Sequence, residues 1–112
     1  MAQKTPGGVI AAVMGTIQQR KRTMPENSYV ATLLRRGADA IGCKVAEETG
    51  EVIKAVREEN EKQQVREFCD LFFHAMVLMA SKDISLAMLE DELDRRHGIS
   101  GITEKKSRKK KK

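Results

Sequence analysis

Thirteen consecutive residues, 68–80, carry eleven apolar side chains, and this run limits the folds open to the chain. The two exceptions are Asp70 and His74, four residues apart and so on one side of a helix, with Glu67 a turn earlier. A helix apolar nearly all round must be surrounded by other elements. An unpaired carboxylate within it would cost several kcal/mol or give up its charge, so a cation is expected beside Glu67 and Asp70.

A second stretch upstream has the same conflict. Ile41, Val45, Val52 and Val56 recur at helical spacing, and Glu48 and Thr49 stand where the stripe should continue. Glu48 and Glu51 are one turn apart, as are Glu47 and Glu51, and Lys44 lies a turn ahead of Glu48. Residues 58–64 contain no apolar side chain, which predicts a helix-to-helix turn near Asn60. A hairpin centred there brings Glu51 level with residues near 67–71, and Glu48 roughly 4.5 Å beyond at ~1.5 Å per residue.

The four carboxylates of Glu48, Glu51, Glu67 and Asp70 are then expected to face one point between the two helices. Hard oxygen donors in that number suit Mg²⁺, with Mn²⁺ as the second choice, and waters and substrate phosphates complete the shell. The competing reading pairs the same carboxylates with Lys44, Lys54, Arg57 or Arg66. A ferritin-like di-iron bundle would need Glu-x-x-His on two helices. Here His74 follows Asp70 by four and Glu67 by seven, which departs from that motif.

The rest of the chain is all-α in character. With 8 Gly and 2 Pro in 112 residues and many Ala, Leu, Met, Glu, Lys and Arg, about five helices are expected. Their central antiparallel pair forms a four-helix-bundle-type core. A first helix follows Thr5-Pro6 and reaches about Arg22, with Ile10, Val13, Met14 and Ile17 on one face. A second, 29–36, is capped by Asn27 or Ser28 and stops at Gly37. The third runs from Asp39 to about Asn60 and the fourth from about Gln63 to Lys82. A fifth starts at Ser85, points Leu86, Leu89 and Leu93 inward, and closes at Gly98. So apolar a fourth helix cannot be covered by this chain alone, so dimerisation is expected to complete the core and a homodimer is the economical assembly.

The net charge of +5 is a property of one end. Residues 104–112 hold seven Lys or Arg against one Glu, leaving the rest at −1. Residues 1–103 therefore read as one all-α domain and 104–112 as a basic, solvated tail. No aromatic interleaving supports specific nucleic-acid binding. The N-terminus lacks an apolar core behind a basic start, and no apolar run approaches the ~20 residues of a membrane span, so a cytoplasmic, membrane-free protein is expected. Cys43 and Cys69 lack metal-type spacing and read as reduced, buried thiols.

Glu47-Glu48-x-x-Glu51, followed at a distance by Glu67-x-x-Asp70, resembles the signature of the all-α, MazG-like nucleoside triphosphate pyrophosphohydrolase superfamily. Within it, residues 9–104 are similar to the phosphoribosyl-ATP pyrophosphohydrolase family of histidine biosynthesis. The resemblance rests on Arg20-Lys21, Pro25 to Tyr29, Leu33-Leu34 to Gly37, Lys44-Val-x-Glu-Glu, Asp70-Leu-Phe-Phe-His74 and Arg95-Arg96. Val30 departs from the family's usual Thr after Ser-Tyr, and the often-fused cyclohydrolase domain is missing from this sequence.

The resemblance implies hydrolysis of the α–β phosphoanhydride of phosphoribosyl-ATP, releasing pyrophosphate. It implies Glu48, Glu51, Glu67 and Asp70 as ligands of Mg²⁺. Glu47, Glu48 and Glu51 form the catalytic set, with Glu47 either a general base or an outer orienting group. Lys44 would meet a phosphate. Arg20, Lys21, Ser28 and Tyr29 would contact phosphate or ribose, although the basic pair reads equally as surface charge. His74 would orient a carboxylate or serve as a hydrogen-bonded core histidine. Two rival functions are a house-cleaning pyrophosphatase for stray nucleotides and a non-catalytic helical interaction module.

Overall fold

The structure is a computed structural model that describes residues 7–98, 105, 106 and 108. Five helices follow one another: α1 Gly8–Thr23, α2 Tyr29–Arg36, α3 Ala38–Glu58, α4 Glu61–Ser81 and α5 Leu86–Arg96. There is no strand among the described residues. The Thr5-Pro6 start expected for the first helix lies outside them, as does most of the basic tail; Lys105 and Lys106 are exposed.

Local chemistry sets the boundaries. The Ser28 side chain accepts the Ala31 N–H at 3.1 Å, the Asn60 side chain the Gln63 N–H at 2.9 Å, and Ser85 Oγ the Met88 N–H at 3.2 Å. Each such cap stabilises its helix start by about 1 kcal/mol. Gly37 ends α2 and begins α3 at φ 94°, a region where a side chain would be strained. Asp39 thus falls in the first turn of α3, where its charge favours the helix dipole, and not at its head.

α3 and α4 form the most extensive helix pair, joined through Glu59 and Asn60, as the polar run at 58–64 predicts. α1 and α2 pack against the later part of α4. The core collects Met14 and Ile17 from α1, Val30 and Leu33 from α2, Ile41 from α3, and Met76, Val77 and Ala80 from α4. Ile41 and Val77 are fully enclosed, and truncating either to Ala would cost about 2–5 kcal/mol. Lys21 ties α1 to the end of α4 by donating to the Ala80 carbonyl at 2.9 Å and pairing with Asp83 at 2.6 Å.

As expected, this chain alone does not cover α4: Val65, Phe68 and Phe72 remain exposed because α1, α2 and α3 cover only its other sides. With Val9 and Ile10 of α1 they border an apolar groove of about 440 Å³. Other expectations about burial are corrected: Val56, the last member of the α3 stripe, is exposed, while its neighbour Ala55 takes the buried position. Leu89 and Leu93 do not point inward; only Leu86 of the three packs on the core. The thiols of Cys43 and Cys69 are exposed rather than buried. Cys43 lies two residues past Ile41, on the opposite side of α3, and Cys69 borders the groove.

Candidate active site

The hairpin of α3 and α4 brings acidic side chains from both helices together. One carboxylate oxygen each from Glu48, Glu67 and Asp70 lies within 4.8 Å of the others, a spacing one cation can span. The Glu48 side chain is only 12% exposed, Glu67 is half-buried and Asp70 is exposed. Burial pushes the Glu67 carboxyl above its usual range, and the charges of Asp70, Glu51 and Glu48 push it further the same way. Gln63 Nε2 donates to Glu67 at 3.3 Å and opposes that shift. A positive charge at this point would relieve the repulsion that these like charges create.

Glu51 stands apart from the three-oxygen group. It is exposed and lines, with Glu67, Gln63, Lys54 and Glu59, an adjoining cavity of about 120 Å³. Sequence reasoning missed Gln63, although its position one turn before Glu67 on a helical face was the available signal. Lys54, named from the sequence as a pairing partner for these carboxylates, lines the same cavity; Glu59 was left out, since nothing in its local pattern separates it from ordinary surface charge.

Lys44 flanks the cluster from the preceding turn of α3. Its ammonium lies 3.6 Å from Glu47 and 3.7 Å from Glu48. Glu47 first, then Tyr29 and Glu48, raise the Lys44 pKa against a smaller opposing effect of burial. Glu47 points outward, with 67% of its side chain exposed.

The remaining sequence candidates divide into two groups. Tyr29 and His74 belong together: the Tyr29 hydroxyl and His74 Nε2 are 2.9 Å apart, and His74 Nδ1 is 2.7 Å from the Asp70 carbonyl oxygen. His74 is buried, so it is the hydrogen-bonded core histidine, and through the backbone it touches the residue bearing an acidic side chain of the cluster. Phe73 stacks beside Tyr29 at 6.2 Å between ring centroids. The Ser28 hydroxyl accepts the α2 cap hydrogen bond. Lys21 is committed to Ala80 and Asp83 near the far end of α4, ten and more residues past Asp70, and Arg20 beside it donates to Gln19 at 3.4 Å. The structure thus places Lys44, Glu47, Glu48, Glu51, Glu67 and Asp70 along the middle of the α3–α4 pair, with Glu48, Glu67 and Asp70 converging, and leaves Arg20 and Lys21 outside that group.

An all-helical architecture with carboxylates supplied by two facing helices fits the all-α, MazG-like nucleoside triphosphate pyrophosphohydrolases. A family profile described as phosphoribosyl-ATP pyrophosphohydrolase matches residues 10–97. A protein of Neisseria meningitidis serogroup B named phosphoribosyl-ATP pyrophosphatase is 46% identical over 100 residues, covering 89% of this chain and 94% of the relative. Proteins of the same name from Pelobacter propionicus and Nitrosospira multiformis are similar as well. The first is 46% identical over 89% of this chain and 93% of its own. The second is 48% identical over 84% and 78%. The chain belongs to the phosphoribosyl-ATP pyrophosphohydrolase family.

Proposed function

We infer that this chain hydrolyses the α–β phosphoanhydride of phosphoribosyl-ATP to phosphoribosyl-AMP and pyrophosphate, the second step of histidine biosynthesis, and that it uses a divalent cation to do so. Family membership across residues 10–97 carries the reaction. The convergence of Glu48, Glu67 and Asp70 supports the cation, because three hard oxygen donors that repel one another are a fitting set for Mg²⁺ or Mn²⁺.

In this reading Glu48, Glu67 and Asp70 hold the ion and Glu51 approaches from the adjoining cavity as the fourth donor. A bound divalent ion supplies charge neutralisation on the phosphates and a more acidic water. Glu47, outward-facing and one residue from a ligand, is the candidate general base. Lys44 meets a substrate phosphate as a point charge already poised beside the carboxylates. Tyr29, bonded to His74 beside Asp70, contacts the nucleotide. The Ser28 hydroxyl, which accepts the α2 cap bond through one lone pair, still has its O–H to offer a phosphate, and Arg20 and Lys21 act at most at the periphery.

The same reading includes a homodimer in the cytoplasm. The groove bordered by Val65, Phe68 and Phe72 is the natural meeting surface for two copies, since it continues the core of α4 into open solvent. The deciding assay offers the purified chain phosphoribosyl-ATP beside a panel of ordinary nucleoside triphosphates, with Mg²⁺ and with chelator. Pyrophosphate release from phosphoribosyl-ATP alone, abolished by chelation, is the expected result. Comparable turnover of the panel would favour a house-cleaning enzyme, and no turnover of any substrate would overturn the reading.

A further inference from the structure

The contacts of His74 fix more than its own place. A carbonyl oxygen can only accept a hydrogen bond, so the ring nitrogen 2.7 Å from the Asp70 carbonyl, Nδ1, carries a proton. Both partners of the ring are neutral groups, a carbonyl and a phenol, and the ring is 5% exposed. Neither hydrogen-bond partner is a carboxylate and burial disfavours the charged ring, so the ring has one N–H and its Nε2 is an acceptor. The Tyr29 hydroxyl at 2.9 Å must then donate its only proton to His74. What remains on Tyr29 Oη is a pair of lone pairs, on a residue that is 52% exposed.

We propose that His74 is a positioning residue that makes the Tyr29 hydroxyl a hydrogen-bond acceptor, so that Tyr29 reads a sugar hydroxyl of the substrate and not a phosphate. Ionised phosphate oxygens have no proton to give, and an acceptor-only phenol has none either, so the two repel. A ribose hydroxyl, by contrast, can donate. Phosphate recognition then falls to Lys44, whose ammonium lies 3.6 Å from Glu47 and 3.7 Å from Glu48. Phe73 stacked beside Tyr29 limits the swing of the phenol away from His74. The inference rests on the hydrolase reading above for the identity of the substrate, but the tautomer of His74 does not.

Two measurements test it. In ¹⁵N-labelled full-length protein, long-range proton–nitrogen correlation spectra should show His74 neutral with Nδ1 protonated, the second ring being identified with H97Q. An Nε2-protonated ring or an imidazolium at neutral pH overturns the proposal whether or not the protein turns over phosphoribosyl-ATP. In the steady state, Y29F should raise KM about fivefold to tenfold, the effect of one neutral hydrogen bond, with kcat within about twofold. H74L should match it, and the double variant should be no worse than either single one. H74Q, whose amide oxygen can accept from Tyr29, should recover most of the loss, and it also guards against H74L failing to fold. Among analogues lacking one sugar hydroxyl at a time, one should be indifferent to Y29F. Unchanged KM in Y29F, additive effects in the double variant, or an equal Y29F penalty on every analogue would overturn the proposal. Inactivity of the wild-type chain would instead overturn the substrate assignment and leave the ring geometry to the spectra.

Discussion

Two sides of α4 present opposite problems to the isolated chain. On the side facing α3, Glu67 and Asp70 meet Glu48, and the difficulty is too much like charge in too little water. On the side bordered by α1, Val65 and Phe72 stand 62% and 55% exposed, and the difficulty is apolar surface with nothing against it. The first is relieved by something small and positive, which can enter and leave. The second is relieved only by something large and complementary, which is why we assign it to a second copy. In the proposed reading one helix would carry both the chemistry and the assembly, with only a narrow strip of an otherwise apolar sequence given to the acids.

The largest effect should come from breaking the acidic side. Under the proposed metal-dependent reading, D70N should lower kcat/KM by about 10³-fold, the loss of several kcal/mol of charge stabilisation. It should also remove the rise in melting temperature expected of the wild type with Mg²⁺, as differential scanning fluorimetry would record. A variant with normal turnover would separate the cluster from catalysis.

Next in size is the apolar side. A charge placed in the groove by F72D should convert a dimer into monomers at concentrations where the wild type stays paired. A buried aromatic at an interface is commonly worth about 2 kcal/mol or more, so dissociation should become at least roughly 30-fold easier. Sedimentation velocity is the readout, and an intact dimer would move the interface elsewhere.

A subtler contrast sets Glu67 against Glu92. Glu67 is held above its ordinary value of 4.5, by burial first and then by its acidic neighbours. A carboxyl with a raised folded-state pKa favours the fold while protonated, and that advantage is lost as pH rises through the folded value. Without divalent ions, E67Q should therefore melt above the wild type at neutral pH, the gap closing below about 4.5. Glu92 is the reverse case, drawn down to about 2 by hydrogen bonds from Arg95 and Arg96 at the end of α5. Its stabilising share is present above 4.5 and lost as pH falls through about 2. E92Q should lower the melting temperature only slightly at neutral pH, since the pairs are open to water, and the change should vanish in acid. An E92Q effect as large as that of E67Q would mean that surface pairing and crowded acids weigh equally here.

Much of this was legible along the chain because it depends on neighbours within a turn or two. Ser28 and Ser85 announce the helix starts that they cap, the polar run about Asn60 a turn and Gly37 a break, and the acidic residues of 47–51 and 67–70 declare shared helical faces by their spacing. A hairpin turn at a run without apolar residues then suffices to bring those faces together, and the family signature lies in the same residues. What the chain alone left open was decided by partners far away in sequence. Lys21 was drawn to Asp83, His74 to Tyr29, Cys43 and Cys69 to the outside, and Phe72 to an open groove. Helical periodicity says which residues share a side of one helix, but not which side the other helices will cover. That choice belongs to the packing of α1 and α2 on the later half of α4, and it left the earlier half open on one flank.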